Sequence, residues 1–575
     1  MSLFTRSALV AALAVLGSIP AAPAFARASV DREVKAFAAR HAGGTVKVIV
    51  HPAKGTGDSV CGALERGGRL RGRHALIGSC SAEVTLDELE TLINSGAVDT
   101  ISSDAPVAGH QANLTPLTTL NQVTASLGLG ALPYTGKGVV IALIDSGIQN
   151  NPDFDRKIVG SYLCKATCKA APAADDYGHG THIAGIIGGR GNQSHGLYTG
   201  IAPNVKFLAL KVLDRTGAGT TSDVLTAIQF ATANKGTLGI DIINLSLGHP
   251  ILEAAATDPL VQAVEAAVRA GIVVVVSAGN YGTNPETGRT GYTGISSPGN
   301  APSAITVGAA KTQGTASRSD DRIADYSSRG PSWYDGYEKP DLVAPGQRVI
   351  SNMSDGGLWS KNPGWRFTAP AGTSGRWMRL SGTSMSAGMV SGVAALVIEA
   401  SRTANPVAGA VRPNALKAIL EFTATQLHDD NGVAYDPLTQ GAGEVNAAGA
   451  LALAARFDTS AAPGTWWLTS GVTASNVIGS EVAPWAQNVL WGENILWGDS
   501  VYYNRAAWGQ NIVWGENILW GENIIWGENI VWGENVLWGE NLVWGENVLW
   551  GENLVWGENI LWGDNDNDDN TEVVR

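Results

Sequence analysis

Between residues 138 and 277, continuous apolar runs of strand length alternate with longer stretches of helical character. The runs lie at 139–144, 205–212, 240–246 and 272–277, and the helical stretches at 221–234 and 253–270. A strand that is apolar on both faces must be covered on both faces, which is the condition of a parallel sheet flanked by helices. The expected fold class is therefore α/β, a doubly wound and mostly parallel sheet. Such a sheet gathers its functional residues at the carboxyl ends of its strands.

At 575 residues the chain is long enough for several folded units. Arg6, the apolar run 8–19 and the small-x-small site Ala24-Phe25-Ala26 read as an export signal, so residues 1–26 are expected to be removed. The apolar run is shorter than the roughly 20 residues of a bilayer span, and no other segment reads as transmembrane. Residues 27–110 follow as a small α+β unit, with a strand at 45–50, a helix at 86–95 and a strand at 98–102. The α/β unit takes 111–456, a linker 457–484, a repeat region 485–563 and an acidic, disordered tail 564–575.

Four Cys in an exported chain allow two disulfides in three connectivities, and their distribution favours Cys61 with Cys80 and Cys164 with Cys168. Zinc is disfavoured, because the pair at 164 and 168 has no second Cys or His cluster nearby. From Trp485 onward there are fifteen acidic and two basic residues, a charge of −13, so the rest of the chain, with 37 of each sign, is neutral. The excess charge belongs to the tail, and no basic patch argues for nucleic acid.

Four short segments fall where the sheet places loops: Asp145-Ser146-Gly147, His179-Gly180-Thr181-His182, Ser277-Ala278-Gly279-Asn280 and Gly382-Thr383-Ser384-Met385. A serine hydroxyl becomes a nucleophile when an imidazole takes its proton and a carboxylate steadies that imidazole. The oxyanion that then develops needs fixed donors. The first, second and fourth segments, in the order Asp, His, Ser, resemble the active-site signatures of the subtilase family over residues 138–455. The resemblance implies a serine endopeptidase acting on proteins or peptides, with Asp145 as orienter, His179 as general base, Ser384 as nucleophile and Asn280 as oxyanion donor. It implies that Ser246, Leu247 and Gly248 bind substrate backbone and, with Ser277, Ala278 and Gly279, wall the first specificity pocket. His182, one turn from His179, reads as a packed structural residue.

The resemblance carries further expectations. No cofactor is required for the chemistry; structural calcium is common in the family, with Asn192, Gln193, Asp175 and Asp176 as candidate ligands. The 27–110 unit reads as a propeptide that inhibits its own enzyme until self-cleavage between Ala105 and Thr118. Ser386-Ala387-Gly388-Met389 departs from the family's usual Ala-x-Pro-His, and Gly in place of Pro loosens the first helical turns. The long segment 351–380, with Trp359, Trp365 and Trp377, reads as a wall of the substrate cleft or a surface loop.

From Trp485 a hexapeptide recurs, Trp-Gly-Glu-Asn followed by two aliphatics, holding thirteen of the nineteen Trp. A short apolar stretch and a corner every six residues is the pattern of a β-solenoid; a low-complexity tract is the competing reading. Two other functions compete with secreted proteolysis. One is an inert subtilase-like surface or adhesion protein binding through these repeats, which leaves the retention of all four site residues without a chemical reason. The other is an esterase of the Gly-x-Ser-x-Gly type, which Ser386 in place of the second Gly argues against.

Overall fold

The computed structural model describes residues 27–40, 44–109, 127–129, 133–284, 287–407, 409–461 and 468–491, then 494–497 and short strands between 519 and 556. The expected signal, 1–26, and the acidic tail, 564–575, lie outside the described residues. The chain divides into two compact units, one reaching Leu70 and resuming over Gly78–Ser103, the other comprising Arg71–Ile77 and everything from Asp104.

The first unit is α+β. Its five-stranded sheet runs in the order Ser29–Val30, Val98–Ser103, Thr45–Pro52, Ser79–Thr85, Leu70–His74. Asp31 caps helix Arg32–Ala39 by accepting from the Val34 N–H, and Thr85 and Glu88 form a reciprocal capping box on Leu86–Asn94. Val48, Val50, Ala82, Val84, Leu89 and Ile101 are buried between sheet and helices. Cys61 of helix Gly57–Arg66 is bonded to Cys80.

The second unit is built on a nine-stranded sheet. Seven strands are parallel, in the spatial order Ile158–Cys164, Lys206–Lys211, Val140–Asp145, Ile240–Leu245, Val273–Ser277, Ile305–Lys311, Leu342–Pro345. The chain starts at Val140–Asp145, leaves toward one edge and returns to build the other side, so the order reverses beside this first strand. Cys168–Ala170 and Arg322–Ile323 add antiparallel ends, and Cys164 is bonded to Cys168 across the first of these.

Helix Thr383–Ala404 is long and apolar enough to cross a membrane, yet it is buried inside this unit. Gly388 continues it unbroken; a Cβ there would meet Ile183 Cγ2 at 3.2 Å, so the small residue lets this helix approach His179–Gly188 closely.

Three boundaries differ from expectation. Helix 253–270 begins only at Pro259, because the Asp258 side chain caps Leu260 and Val261 and Pro favours the first helical position. The α+β unit ends at Ser103 rather than 110, since Pro106–Gly109 pairs with strands of the second unit.

The expected linker 457–484 contains a hairpin, Ser475–Ile478 with Glu481–Pro484. It is docked: Ile478 and Ala483 are buried, and Glu481 accepts from the Ser317 hydroxyl and the Arg318 and Ser319 N–H groups. Trp485, the first hexad Trp, is buried against Phe422 with its indole N–H on Asn476 Oδ1 at 2.8 Å. An indole that finds both apolar cover and an acceptor belongs to the core, whatever repeat it begins.

Within the hexad region Asn488–Trp491 pairs antiparallel with Asn494–Trp497, and the later strands pair in parallel twelve residues apart: Leu519 with Val531, Ile530 with Leu542, Leu542 with Leu554, and, in a separate sheet, Trp538 with Trp550. Two hexads therefore make one step.

Candidate active site

Asp145 closes strand Val140–Asp145 and is fully buried. His179 is the first residue of helix His179–Gly188, also fully buried, and its Nδ1 lies 2.9 Å from both carboxylate oxygens of Asp145. In the neutral ring Nδ1 therefore carries the proton, and Nε2, which is buried and without a partner, is the free base.

The first helical turn can approach the strand end because residue 180 is Gly: a Cβ there would lie 2.2 Å from the Gly147 carbonyl oxygen. Burial pulls the His179 pKa down, but the charge and hydrogen bond of Asp145, with the charge of Asp175, outweigh it and leave it above its ordinary value.

His182 is held differently. Its Nε2 lies 3.2 Å from the carbonyl oxygens of Val349 and Met378, so Nε2 carries hydrogen. Burial, aided by neighbouring His179, pulls its pKa down to about 3, so the ring is neutral and structural.

Ser384 is the second residue of Thr383–Ala404, and its hydroxyl donates to the Ser246 carbonyl at 3.0 Å. Asn280 follows strand Val273–Ser277 by three residues. Its Oδ1 accepts from the Thr383 N–H at 3.1 Å, and because a backbone N–H can only donate, the amide orientation is fixed. The Nδ2 group is then buried with no partner. A buried donor without an acceptor costs about 1–3 kcal/mol, and such a group is explained by an acceptor that arrives with substrate.

Leu247–Pro250 and Ala218–Thr220 form the two edges of a cleft, and Pro106–Gly109 of the same chain lies between them as an antiparallel strand. Gly109 pairs with Leu247, Ala108 with both Gly248 and Ala218, and Val107 with Gly219. A Cβ on Gly109 would sit 3.2–3.4 Å from three atoms of the His179 ring. The strand thus runs past the imidazole, one residue short of the Ser246 segment that receives the Ser384 hydroxyl.

Ser277, Ala278 and Gly279 are buried beside this cleft, with Gly279 bonded through the Thr383 hydroxyl. Ser296 was not anticipated: strand Ser296–Ser297 pairs with His249 and Pro250, and its hydroxyl lies on the Ala278 carbonyl at 3.3 Å. The 218–220 edge was also missed, since three small residues between a strand and a helix carry no chemical signal.

The expected calcium ligands do not form one set. Asp175 has both oxygens occupied by N–H and O–H donors of its own loop, Asp176 is ion-paired with Lys211, the Asn192 amide donates to Pro152, and the Gln193 N–H donates to Asp153. Among the described residues no group of three or more His, Cys, Asp or Glu side chains is assembled to hold a metal. The segment 351–380 is not a free surface loop: Leu358 N–H donates to the Tyr177 carbonyl, Met353 packs over Gly178, and Trp377 is buried. It braces the chain leading into His179.

The subtilase family profile matches residues 136–443. The chain is 35% identical over 389 residues to serine protease AprX of Bacillus subtilis (strain 168), covering 67% of this chain and 81% of that protein. It is 33% identical over 337 residues to subtilisin E of the same organism, covering 58% and 74%. Among solved structures, fervidolysin from Fervidobacterium pennivorans, described as a keratinolytic enzyme related to subtilisin, matches with a TM-score of 0.54 at 20% identity. That match covers 74% of this chain and 63% of that one, and it shows likeness of fold.

Proposed function

The chain belongs to the subtilase family and is a serine endopeptidase, and from that premise we propose that it is exported as a zymogen and cuts peptide bonds through an acyl-enzyme on Ser384. The observation that carries this reading is the strand Pro106–Gly109, seated between two cleft edges with Gly109 against the His179 ring.

In the reaction the Ser384 hydroxyl turns from the Ser246 carbonyl toward His179 Nε2. Its proton passes to Nε2 as Oγ bonds the scissile carbonyl carbon, and the carbonyl oxygen takes the negative charge. Asn280 Nδ2 and the Ser384 N–H donate to that oxygen. Asp145 stabilises the imidazolium, which returns the proton to the leaving amine, leaving an ester on Ser384. Water, deprotonated by the same imidazole, then releases the acid. Ser246 to Gly248 and Ala218 to Thr220 bind substrate backbone as strand partners, and Ser277 to Gly279 wall the pocket for the side chain before the cut.

Residues 27–110 serve as the propeptide. Self-cleavage is expected just beyond Gly109, within the 105–118 window, because Gly109 pairs with Leu247, the neighbour of Ser246, whose carbonyl receives the Ser384 hydroxyl. Export rests on the 1–26 signal. The parallel twelve-residue register of the hexads favours the β-solenoid reading of the tail.

A fluorophosphonate probe with casein hydrolysis tests the function. Labelling at Ser384, absent from the Ser384→Ala variant, supports it; a folded, processed protein that takes no label and leaves casein intact overturns it.

A further inference from the structure

The helix that presents His179 begins with a defect. Its N-cap, Gly178, has a positive φ of 109° and no side chain to satisfy the free N–H groups of the first turn. Those groups are nevertheless satisfied from elsewhere. Gly180 N–H donates to the Ser146 hydroxyl at 2.9 Å, and Thr181 N–H donates to Asp175 Oδ2 at 2.8 Å.

Asp175 is buried and accepts from four donors: Tyr177 N–H at 3.1 Å and Gly178 N–H at 2.7 Å to Oδ1, and the Thr181 hydroxyl at 2.6 Å to Oδ2 in addition to the Thr181 N–H. The Thr181 hydroxyl in turn accepts from the Gln149 N–H at 2.9 Å. Backbone pairing of Gly147 with Asp175 joins the Asp145 loop to the same point. Burial pushes the Asp175 carboxyl up, but a group enclosed by donors is suited to the carboxylate form, and it sits where a helix favours negative charge.

We propose that Asp175 is a positioning residue for the reaction: a second carboxylate behind Asp145 that fixes the first turn of the His179 helix and, through its charge, stabilises the imidazolium formed during attack. Its four hydrogen bonds tie together the residues before His179 and the residue two after it, and the Gly147–Asp175 pairing adds the loop after Asp145. Asp145 orients the ring by contact, and Asp175 sets the backbone that carries the ring. The charged or titratable groups acting on His179 are Asp145, Asp175 and the neutral His182, with the Tyr177 ring 6.4 Å away.

The inference rests on His179 acting as the base. It is tested on the mature enzyme with Asp175→Asn and Thr181→Val, each quantified by fluorophosphonate titration and thermal melting. Asp175→Asn is expected to lower kcat about tenfold per titrated site, as a small misplacement does, with KM little changed. Its acid limb of kcat/KM against pH should move down by about half a pH unit, because one carboxylate no longer favours the imidazolium.

Thr181→Val keeps the charge and removes one donor, so kcat falls about threefold and the limb stays in place. An unmoved acid limb in folded Asp175→Asn overturns the electrostatic role. Unchanged kcat in Thr181→Val overturns the positioning role, and that variant decides the matter if Asp175→Asn does not fold. Loss of labelling in the unsubstituted enzyme would instead refute the function.

Discussion

Nδ1 of His179 lies 2.9 Å from each carboxylate oxygen of Asp145, and water reaches neither side chain. Asp145→Asn replaces the acceptor facing that N–H with an amide that can turn the wrong tautomer outward. The expected loss in kcat is about 10⁴-fold, with an unchanged melting profile on a Ser384→Ala background. A loss below tenfold would show that this pair does not organise the base.

The proposed mechanism needs neutral His179, and Asp145 and Asp175 hold its pKa above 6.5 in spite of burial. Protonation as pH falls removes the base, so the acid limb of kcat/KM is expected above pH 6.5. A midpoint clearly below 6.5 contradicts the arrangement.

Asn280 Nδ2 is the donor that lacks an acceptor in the resting cleft. Asn280→Ala should lower kcat about 10²–10³-fold with little change in KM, the range established for such a donor on subtilisin itself. A change confined to KM would assign the amide to ground-state binding.

Maturation should yield a new N-terminus shortly after Gly109, no later than the end of the 105–118 window, read by mass spectrometry. Gly109→Leu should slow it, because any Cβ at 109 presses on the His179 ring at 3.2–3.4 Å. Cleavage displaced by several residues, with Gly109→Leu processed normally, would mean that the ladder register does not direct the cut.

His182 adds a pH dependence of stability. Its folded pKa of about 3 lies below the unfolded 6.5, so the unfolded state binds the extra proton between these values. The contribution is full above pH 6.5 and is lost as pH falls toward 3, on the order of 5 kcal/mol. On a Ser384→Ala background, His182→Gln should show a smaller drop in Tm from pH 7 to pH 4. Equal drops in both proteins would remove His182 as the cause. Trp485→Ala should cost about 3–5 kcal/mol by the same measurement, since it empties a core site.

Apolar runs such as 240–246 were legible as sheet strands because burial on both faces leaves no polar alternation, and Asp145, His179, Asn280 and Ser384 were legible because each follows or begins such an element. Asp175 was visible only as a candidate calcium ligand: an Asp in a loop looks the same whether it binds a cation or gathers N–H groups. The docked hairpin 475–484 looked like a linker because its apolar residues are few, and Trp485 becomes core only against Phe422, as Ile478 does beside Gly128.

Residue order thus determined the strand-and-helix alternation and pointed to the proposed reacting groups, since both depend on local periodicity and side-chain chemistry. Which donors surround Asp175, which strand fills the cleft and which Trp leaves the repeat to join the core were decided by tertiary structure. Those relationships join residues tens to hundreds of positions apart, and no local pattern encodes the distance between them.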